Sequence, residues 1–436
     1  MISSLRVACV MKLLAFQLLV FGIVLSVMEF HPSSTRPMGF LKSSISDGFP
    51  APSRVVNGSL VNPQNRGIVI CVHEGNFAAA LSLITELICL GNQFPIELHH
   101  CTKTELPTDL EIALKHSVFA NTKVVDSCAM AAEQNIPRPS LFAKSSQSWL
   151  KPLALLMSSF DQVMVIDPYT MFVRSPQTLW ECDGFMSTGA LFFHERNLVP
   201  AEKADGRYTH LLRKYTDLYL RDPSIKATDI KLSNSFVSLL RTSFDSLSTI
   251  DPSFFIVHKT KFGDRLPRLL KQLLLNLPRD QSFKWLTPHD AIHFLFELMH
   301  EPTYVSPLGA NTLNFPSDLE LHPNVFCGPI AQRWPELDLH QNDTLFFVQS
   351  STLLNPSPLA LQDKVYTYQG YNDVSSSITP LQLPQAFQQN LQYPTCQSNI
   401  AQWEDLQASF YSSLARRRAH YHAVVLGTSF GLLTCT

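Results

Sequence analysis

Asp167 closes an apolar run, Gln162 to Ile166, and is followed by Pro168 and Tyr169. An acid at the end of a buried strand is well placed to meet a charged ligand. Two acids one residue apart at such a point present oxygens to one hard divalent cation. Here the second acidic place is taken by Tyr169, a poor ligand near neutral pH. Lys151, sixteen residues earlier, supplies a cation that reaches a diphosphate from the preceding helix. A diphosphate leaving group needs its charge met by a metal or by Lys and Arg. Thr188 and Gly189 precede Ala190-Leu-Phe-Phe193, and a glycine there admits a ligand close to the backbone. His289, Asp290 and His293 lie at the start of a second amphipathic stretch, after Thr287 and Pro288. Asp290 is a candidate acid, and the two histidines are candidate metal ligands.

Each of these residues also has a plain structural role. Asp167 can start a turn before proline, and Lys151 can be an exposed lysine at a helix start. Thr188-Gly189 can be an ordinary turn. Thr287 or Asp290 can cap a helix. A histidine pair four apart is more often incidental than metal-binding. The sequence holds no Gly-x-Ser-x-Gly, no Walker loop, no His-Glu-x-x-His and no Cys-x-x-Cys. An unrelated secreted hydrolase would need a nucleophile or paired carboxylates, and neither signature is present.

The elements that must position these residues alternate. A continuous apolar run predicts a strand at 67–73, and further strands are expected at 95–101, 122–127, 162–167, 253–258 and 344–349. Helical spacing covers 75–90, ending at Gly91, and also 109–116, 145–160, 208–220 and 290–300. Alternating strands and helices imply an α/β fold with a mostly parallel sheet, flanked by helices. Ligands of such sheets bind beyond the carboxyl ends of the strands, where Asp167 is expected.

The chain has 436 residues, 45% of them hydrophobic, enough for one large domain with extensions or for two. Lys+Arg number 34 and Asp+Glu 36, so there is no basic footprint and nucleic acid is not an expected partner. Residues 1–30 carry an apolar run from Leu13 to Met28, with Arg6 and Lys12 before it. This predicts a signal anchor with the amino terminus cytoplasmic, a cleaved signal peptide being the rival reading. Residues 31–65 are rich in Ser, Pro, Gly and Asn and read as a stem. Residues 66–345 form the expected catalytic-type domain. Residues 346–436 form a Pro-, Gln- and Ser-rich extension in which Arg416-Arg-Arg418 precede an apolar tail, Ala423 to Thr436. Sequons at Asn57 and Asn342 agree with a luminal location. Of nine cysteines, Cys9 lies in the anchor, Cys71 and Cys89 read as buried thiols, and Cys101–Cys128 and Cys327–Cys396 are candidate pairs.

The ordered set Lys151-Pro-Leu-Ala154, Ser158-Ser-Phe160, Val163 to Asp167, Pro176, Thr188-Gly-Ala-Leu-Phe-Phe193 and Arg196 resembles the fungal-type Golgi α-mannosyltransferases, which include α-1,3-mannosyltransferases. The resemblance runs from about Arg66 to Pro335. It implies a type II Golgi membrane protein with the GT-A fold. It also implies transfer of mannose from GDP-mannose to a glycan acceptor with retention of configuration, usually with manganese (Mn2+). Lys151, Asp167, Thr188 and Gly189 would then bind the donor, Asp167 would hold the metal, and Asp290 would be the catalytic acid. Two motifs depart from the family pattern. Its Asp-x-Asp stands here as Asp167-Pro168-Tyr169, and its Gly-Asp-Lys-Glu stands as Thr287-Pro288-His289-Asp290. Loss of one carboxylate would impair metal-dependent transfer unless His289, Asp290 or His293 is recruited. The alternative expectation is a catalytically silent paralogue that binds glycan or nucleotide sugar.

Overall fold

The computed structural model describes residues 65–101, 106, 113–115, 117–136, 146–200, 246–276, 288–306, 311–314, 325–326, 329–336, 345–354, 366–368, 397–398, 403–406, 408–428 and 435. The expected anchor, nearly all of the stem, most of the helix at 109–116, the helix at 208–220, both sequons and the Cys327–Cys396 pair lie outside the described residues. Among the described residues no helix is long and apolar enough to cross a membrane.

Four strands form the parallel half of the main sheet: β1 (Arg66–Cys71), β2 (Ile96–His100), β3 (Thr122–Asp126) and β4 (Gln162–Ile166). β1 pairs in parallel with both β2 and β4, and β2 with β3. Further along the chain come β5 (Thr170–Phe172), β6 (Ala190–Phe192), β7 (His194–Pro200), β8 (Ser246–Ile250), β9 (Phe254–His258) and β10 (Tyr304–Val305). β9 is antiparallel to both β4 and β6, and β10 is parallel to β6. The seven-stranded order is β10-β6-β9-β4-β1-β2-β3, with β9 the one reversed strand. This is the mostly parallel α/β sheet expected from the alternating pattern.

The connecting helices are α1 (Phe77–Cys89), α2 (Ser127–Glu133), α3 (Ser146–Met157), α4 (Asp183–Thr188), α5 (Arg265–Asn276) and α6 (Pro288–Met299). They cover both faces of the sheet. Val69, Val163, Val165, Phe255 and Val257 pack with Leu153, Leu270 and Leu295 of α3, α5 and α6. Ile68, Ile70, Met164, Ile166, Phe254 and Ile256 point the other way, against Leu81 and Ile84 of α1 and against Phe346 and Phe347. Successive strand residues face opposite sides, so a strand buried on both faces must be apolar throughout. That is why β1 and β4 read as unbroken apolar runs. Gly67 has no room for a side chain: a Cβ there would lie 2.3 Å from the ring of Phe160.

A second, antiparallel sheet is built from β11 (Asn311–Asn314), β13 (Ile330–Arg333), β14 (Leu345–Gln349), β15 (Tyr366–Tyr368) and β17 (Trp403–Asp405), with β5 at its edge. β12 (Val325–Phe326) and β16 (Gln397–Ser398) pair separately. β5 follows β4 after three residues and pairs with β14, so the loop leaving β4 joins the two sheets. Two last helices are α7 (Ser351–Leu354) and α8 (Ala408–Val425). α8 packs along α1, so the chain beyond 345 contributes to the same body as the main sheet.

Two cysteine expectations hold and one is corrected. Cys71 is a buried free thiol, and Cys101 is bonded to Cys128. Cys89, expected to be a thiol, is bonded to Cys435. The reason is tertiary: α8 returns along α1 and brings the carboxyl-terminal residues to the end of α1, a proximity no local pattern records.

Candidate functional site

β1 is flanked by β2 on one side and β4 on the other, so the strand order reverses between β1 and β4. Such a reversal opens a crevice beyond the carboxyl ends of the two strands, the usual ligand position in this architecture. The chain leaves β1 through His73 to Asn76 and leaves β4 through Asp167, Pro168 and Tyr169. Asn76 Oδ1 accepts from the His73 amide at 2.8 Å and His73 Nδ1 from the Gly75 amide at 3.0 Å, which fixes the first of these turns.

Asp167 is held from every side. Its amide donates to the Ser253 carbonyl at 2.8 Å. Its Oδ1 accepts from the Tyr169 amide at 3.0 Å, an Asx turn across the proline. Its Oδ2 accepts from Lys151 Nζ at 2.9 Å, and the same ammonium donates to the Pro252 carbonyl at 2.6 Å. The pair is largely buried, with side-chain exposures of 10% for Lys151 and 21% for Asp167. Asp167 is therefore both the turn residue and the charged residue that the sequence left as alternatives. Cys71 at the end of β1 lies near both charges. Burial pushes its thiol up to about 12, with Lys151 pulling it down and Asp167 pushing it up, so it stays a thiol at neutral pH.

Tyr169 spans the crevice. Its hydroxyl donates to the Gly75 carbonyl at 3.1 Å, joining the turn after β4 to the turn after β1. Burial, with Tyr421 and Asp167 nearby, raises the phenol above its ordinary value, so it is a neutral donor here. This bears on manganese. A hard divalent cation needs several oxygens, and here both carboxylate oxygens of Asp167 are already engaged. Among the described residues no three His, Cys, Asp or Glu side chains gather in a metal-holding group. Among the described residues the donor set at Asp167, one carboxylate with both oxygens hydrogen-bonded, does not fit a manganese ion.

The second motif-like stretch lies in α6. His289 and Asp290 stand in its first turn. His293, one turn on, is buried in the core, edge-on to Phe192 at 5.2 Å and with Nε2 3.2 Å from Thr303 Oγ1. Burial, and then the neighbouring His194, hold its imidazole down at about 3. His293 is thus a neutral core histidine engaged with Thr303.

Thr188 and Gly189, expected to bind the donor together with Asp167, are not beside it. Thr188 ends α4, and Gly189 caps it at φ 79°, a left-handed conformation that favours glycine. Ala190 pairs with Val257, which in turn pairs with Val163. The Gly189 carbonyl accepts from the His258 amide at 2.8 Å, and His258 pairs with Gln162. Gly189 is thus level with the start of β4, while Asp167 lies past its end, about 16 Å further along the strand direction at 3.3 Å per strand residue. The cause is direction: a residue before a strand parallel to β4 falls on the amino edge of the sheet.

The reversed strand β9 places other residues where Thr188 and Gly189 were expected. Asp251, Pro252 and Ser253 precede it and so lie at the carboxyl edge with Asp167. Asp251 is 1% exposed. Its Oδ1 accepts from the Ser253 amide at 2.8 Å, and Oδ2 accepts from Gln332 Nε2 at 2.7 Å. Burial raises its carboxyl above the ordinary range against these hydrogen bonds and the Lys151 charge. The sequence signal was Asp251-Pro252-Ser253 ahead of an apolar run, which repeats the Asp-Pro of residues 167 and 168.

The sequence matches known proteins over this same region. Residues 65–291 match the family described as "Mannosyltransferase putative". The "Putative alpha-1,3-mannosyltransferase MNN13" of Candida albicans is 24% identical over 204 residues, covering 41% of this chain and 26% of that protein. The "Probable alpha-1,3-mannosyltransferase MNT4" of Saccharomyces cerevisiae is 29% identical over 165 residues, covering 36% of this chain and 27% of that protein. The matched stretch thus spans about a quarter of the length of these curated relatives. Among solved structures, a galactosyltransferase, LgtC, in complex with donor and acceptor sugar analogues gives a TM-score of 0.34 at 12% identity, covering 55% of this chain and 73% of that one. That likeness is too slight to define the fold. The family match takes in just over half of the 436 residues, including every strand from β1 to β9, Lys151, Asp167 and Asp251. The chain belongs to this mannosyltransferase family.

Proposed function

We propose that the chain is a hexosyltransferase of the secretory pathway that moves mannose from GDP-mannose to a glycan acceptor. The observation that supports it most is the Lys151–Asp167 pair at the β1/β4 crevice, inside the region that matches the family. Lys151 carries a cation beside Asp167 at the crevice, where a diphosphate would lie. It is oriented by Asp167 and Pro252, so its charge is pre-positioned at little reorganisation cost when the leaving group gains charge. Asp167 also fixes the turn that carries Tyr169, whose hydroxyl ties that turn to the one after β1. Asp251 holds the Pro252–Ser253 carbonyls that anchor Lys151 and Asp167. No step is assigned to manganese, because the described residues around Asp167 do not fit it. GDP-mannose as donor, the GT-A arrangement and a type II Golgi membrane location through residues 1–30 are part of the same proposal. They rest on the resemblance, and the names of the relatives support mannose transfer alone. A second reading is a nucleotide-sugar-binding paralogue without transfer, favoured by Tyr169 in the second carboxylate place.

Calorimetric titration of the full chain with GDP and GDP-mannose, with and without manganese, tests the proposal. The expected result is binding of both without added metal, and mannose transfer to an α-mannoside acceptor. Binding without transfer would favour the second reading, and absence of any GDP binding would overturn both. Protease treatment of sealed microsomes tests the location: digestion of the large domain from the cytosolic side would refute the luminal orientation.

A further inference from the structure

The loop that leaves β4 has every carbonyl occupied. The Asp167 carbonyl accepts from the Thr170 amide at 3.0 Å, and that of Tyr169 accepts from the Ser350 amide at 3.2 Å. The other two are taken by one side chain, Arg417, from the middle of α8. Its Nη2 donates to the Pro168 carbonyl at 2.9 Å and its Nη1 to the Thr170 carbonyl at 2.8 Å. A longer bond of 3.4 Å runs from Nη2 to the Ala79 carbonyl in α1. Arg417 is 1% exposed, and its acceptors are all main-chain carbonyls.

A guanidinium buried among carbonyls is an expensive way to attach a helix. A charge loses its hydration there, and an apolar side chain would pack α8 on α1 at less cost. α8 already has other attachments to α1. Ser82 Oγ donates to the Arg417 carbonyl at 2.8 Å, Arg416 pairs with Glu86 at 3.2 Å, and Cys89 is bonded to Cys435. What Arg417 adds is a planar fork that meets two carbonyls flanking Tyr169. A fork fixes the distance and angle between two acceptors, which a point charge does not do. It thereby fixes the main chain on both sides of Tyr169.

We infer that Arg417 is a positioning residue for donor binding: through the carbonyls of Pro168 and Thr170 it holds the Asp167–Thr170 turn in the shape that presents Asp167 and Lys151 to a nucleoside diphosphate. This rests on the reading of the crevice as the donor site. The carboxyl-terminal helix is thereby part of the donor site's support, although it lies outside residues 65–291, which match the family.

The test compares Arg417→Lys with Arg418→Lys in the full chain. Arg418 makes the same kind of contact from the same helix, Nε to the Leu353 carbonyl at 2.6 Å, but to α7 rather than to the loop. Three readouts are taken: Tm, hydrogen exchange of the Tyr169 and Thr170 amides, and GDP affinity by calorimetry. Both variants should lower Tm. Arg417→Lys alone should speed exchange at Tyr169 and Thr170 and weaken GDP binding, each by about tenfold, the value of one hydrogen bond to a charged group. The donor KM should rise while the acceptor KM does not. Should Arg417→Lys fail to fold, Cys435→Ser frees one tether of α8 and keeps the guanidinium, and a rise in exchange at the same two amides is expected. Equal exchange and equal GDP affinity in the two lysine variants would overturn the inference. Faster exchange at the two amides, in a protein whose natural form binds no GDP, would leave the loop's support intact and refute the reading of the crevice as a donor site.

Discussion

Asp167→Asn, paired with Lys151→Met, tests the centre of the site most directly. Asparagine keeps an oxygen for the Tyr169 amide, 3.0 Å away, so the Asx turn survives and only the charge is lost. Lys151 is then left with the Pro252 carbonyl alone. Removing one partner of a fully buried ion pair costs about 3–5 kcal/mol, while an exposed pair is worth about 0–1 kcal/mol. With side-chain exposures of 10% and 21%, this pair stands nearer the buried limit. We therefore expect Asp167→Asn to cost roughly 2–3 kcal/mol, since the stranded ammonium keeps its bond to the Pro252 carbonyl. Lys151→Met should cost a similar amount by stranding the carboxylate. The double variant removes both charges and should be more stable than the sum of the single losses by about 2 kcal/mol. Urea denaturation of the four proteins at pH 7 gives this coupling. A coupling below about 0.5 kcal/mol would mean that the pair behaves as a surface contact, and the reasoning about a pre-positioned ammonium would fail. On the functional side, Lys151→Met should weaken GDP by at least about tenfold if the ammonium meets the diphosphate. Unchanged GDP affinity in a folded Lys151→Met protein would refute that role.

Tyr169→Asp breaks the bond to the Gly75 carbonyl and puts a second carboxylate one residue from Pro168. It should make GDP binding respond to manganese by about 10–100-fold, read by titration with and without the metal. Gly67→Ala drives a Cβ to within 2.3 Å of the Phe160 ring, and overpacking of this kind should destabilise the chain by about 1–3 kcal/mol in a denaturant titration. The pH dependence follows from two buried histidines. Burial holds His194 down at about 4 and His293 at about 3, below the ordinary value of 6.5. Between those values the unfolded chain binds protons that the folded chain does not, so stability is complete above pH 6.5 and falls on acidification through this window. The loss at pH 5 relative to pH 7 should be roughly 2 kcal/mol for each histidine, and an unchanged urea midpoint between pH 7 and 5 would contradict their neutral burial.

Much of the fold was legible in the sequence because local chemistry fixes it. Apolar runs such as Gly67–His73 and Gln162–Asp167 were readable as strands buried on both faces, and β1 and β4 are such strands. The helix before Gly91 was readable from its spacing and its stop, and α1 ends two residues earlier, at Cys89. Lys151 and Asp167 stood out as charges set against apolar segments, and they meet at 2.9 Å. The order of Lys151, Asp167 and Thr188 to Phe193 was enough to indicate the family.

Tertiary structure decided the rest, and for one physical reason: a strand's residues record which faces are buried but not which way the strand runs. Thr188 and Gly189 lead into β6, parallel to β4, and so fall at the far edge, whereas Asp251 to Ser253 lead into the reversed β9 and stand beside Asp167. The same limit applies to Arg416-Arg-Arg418, which sequence places before an apolar tail. Their partners, Glu86, the Pro168 and Thr170 carbonyls, and the Leu353 carbonyl, lie 330, 249, 247 and 65 residues away along the chain. Likewise Cys89 finds Cys435 at a separation of 346 residues. No periodicity encodes such pairings. They exist only once α8 has packed along α1 and excluded water from the ground beneath the loop that follows β4.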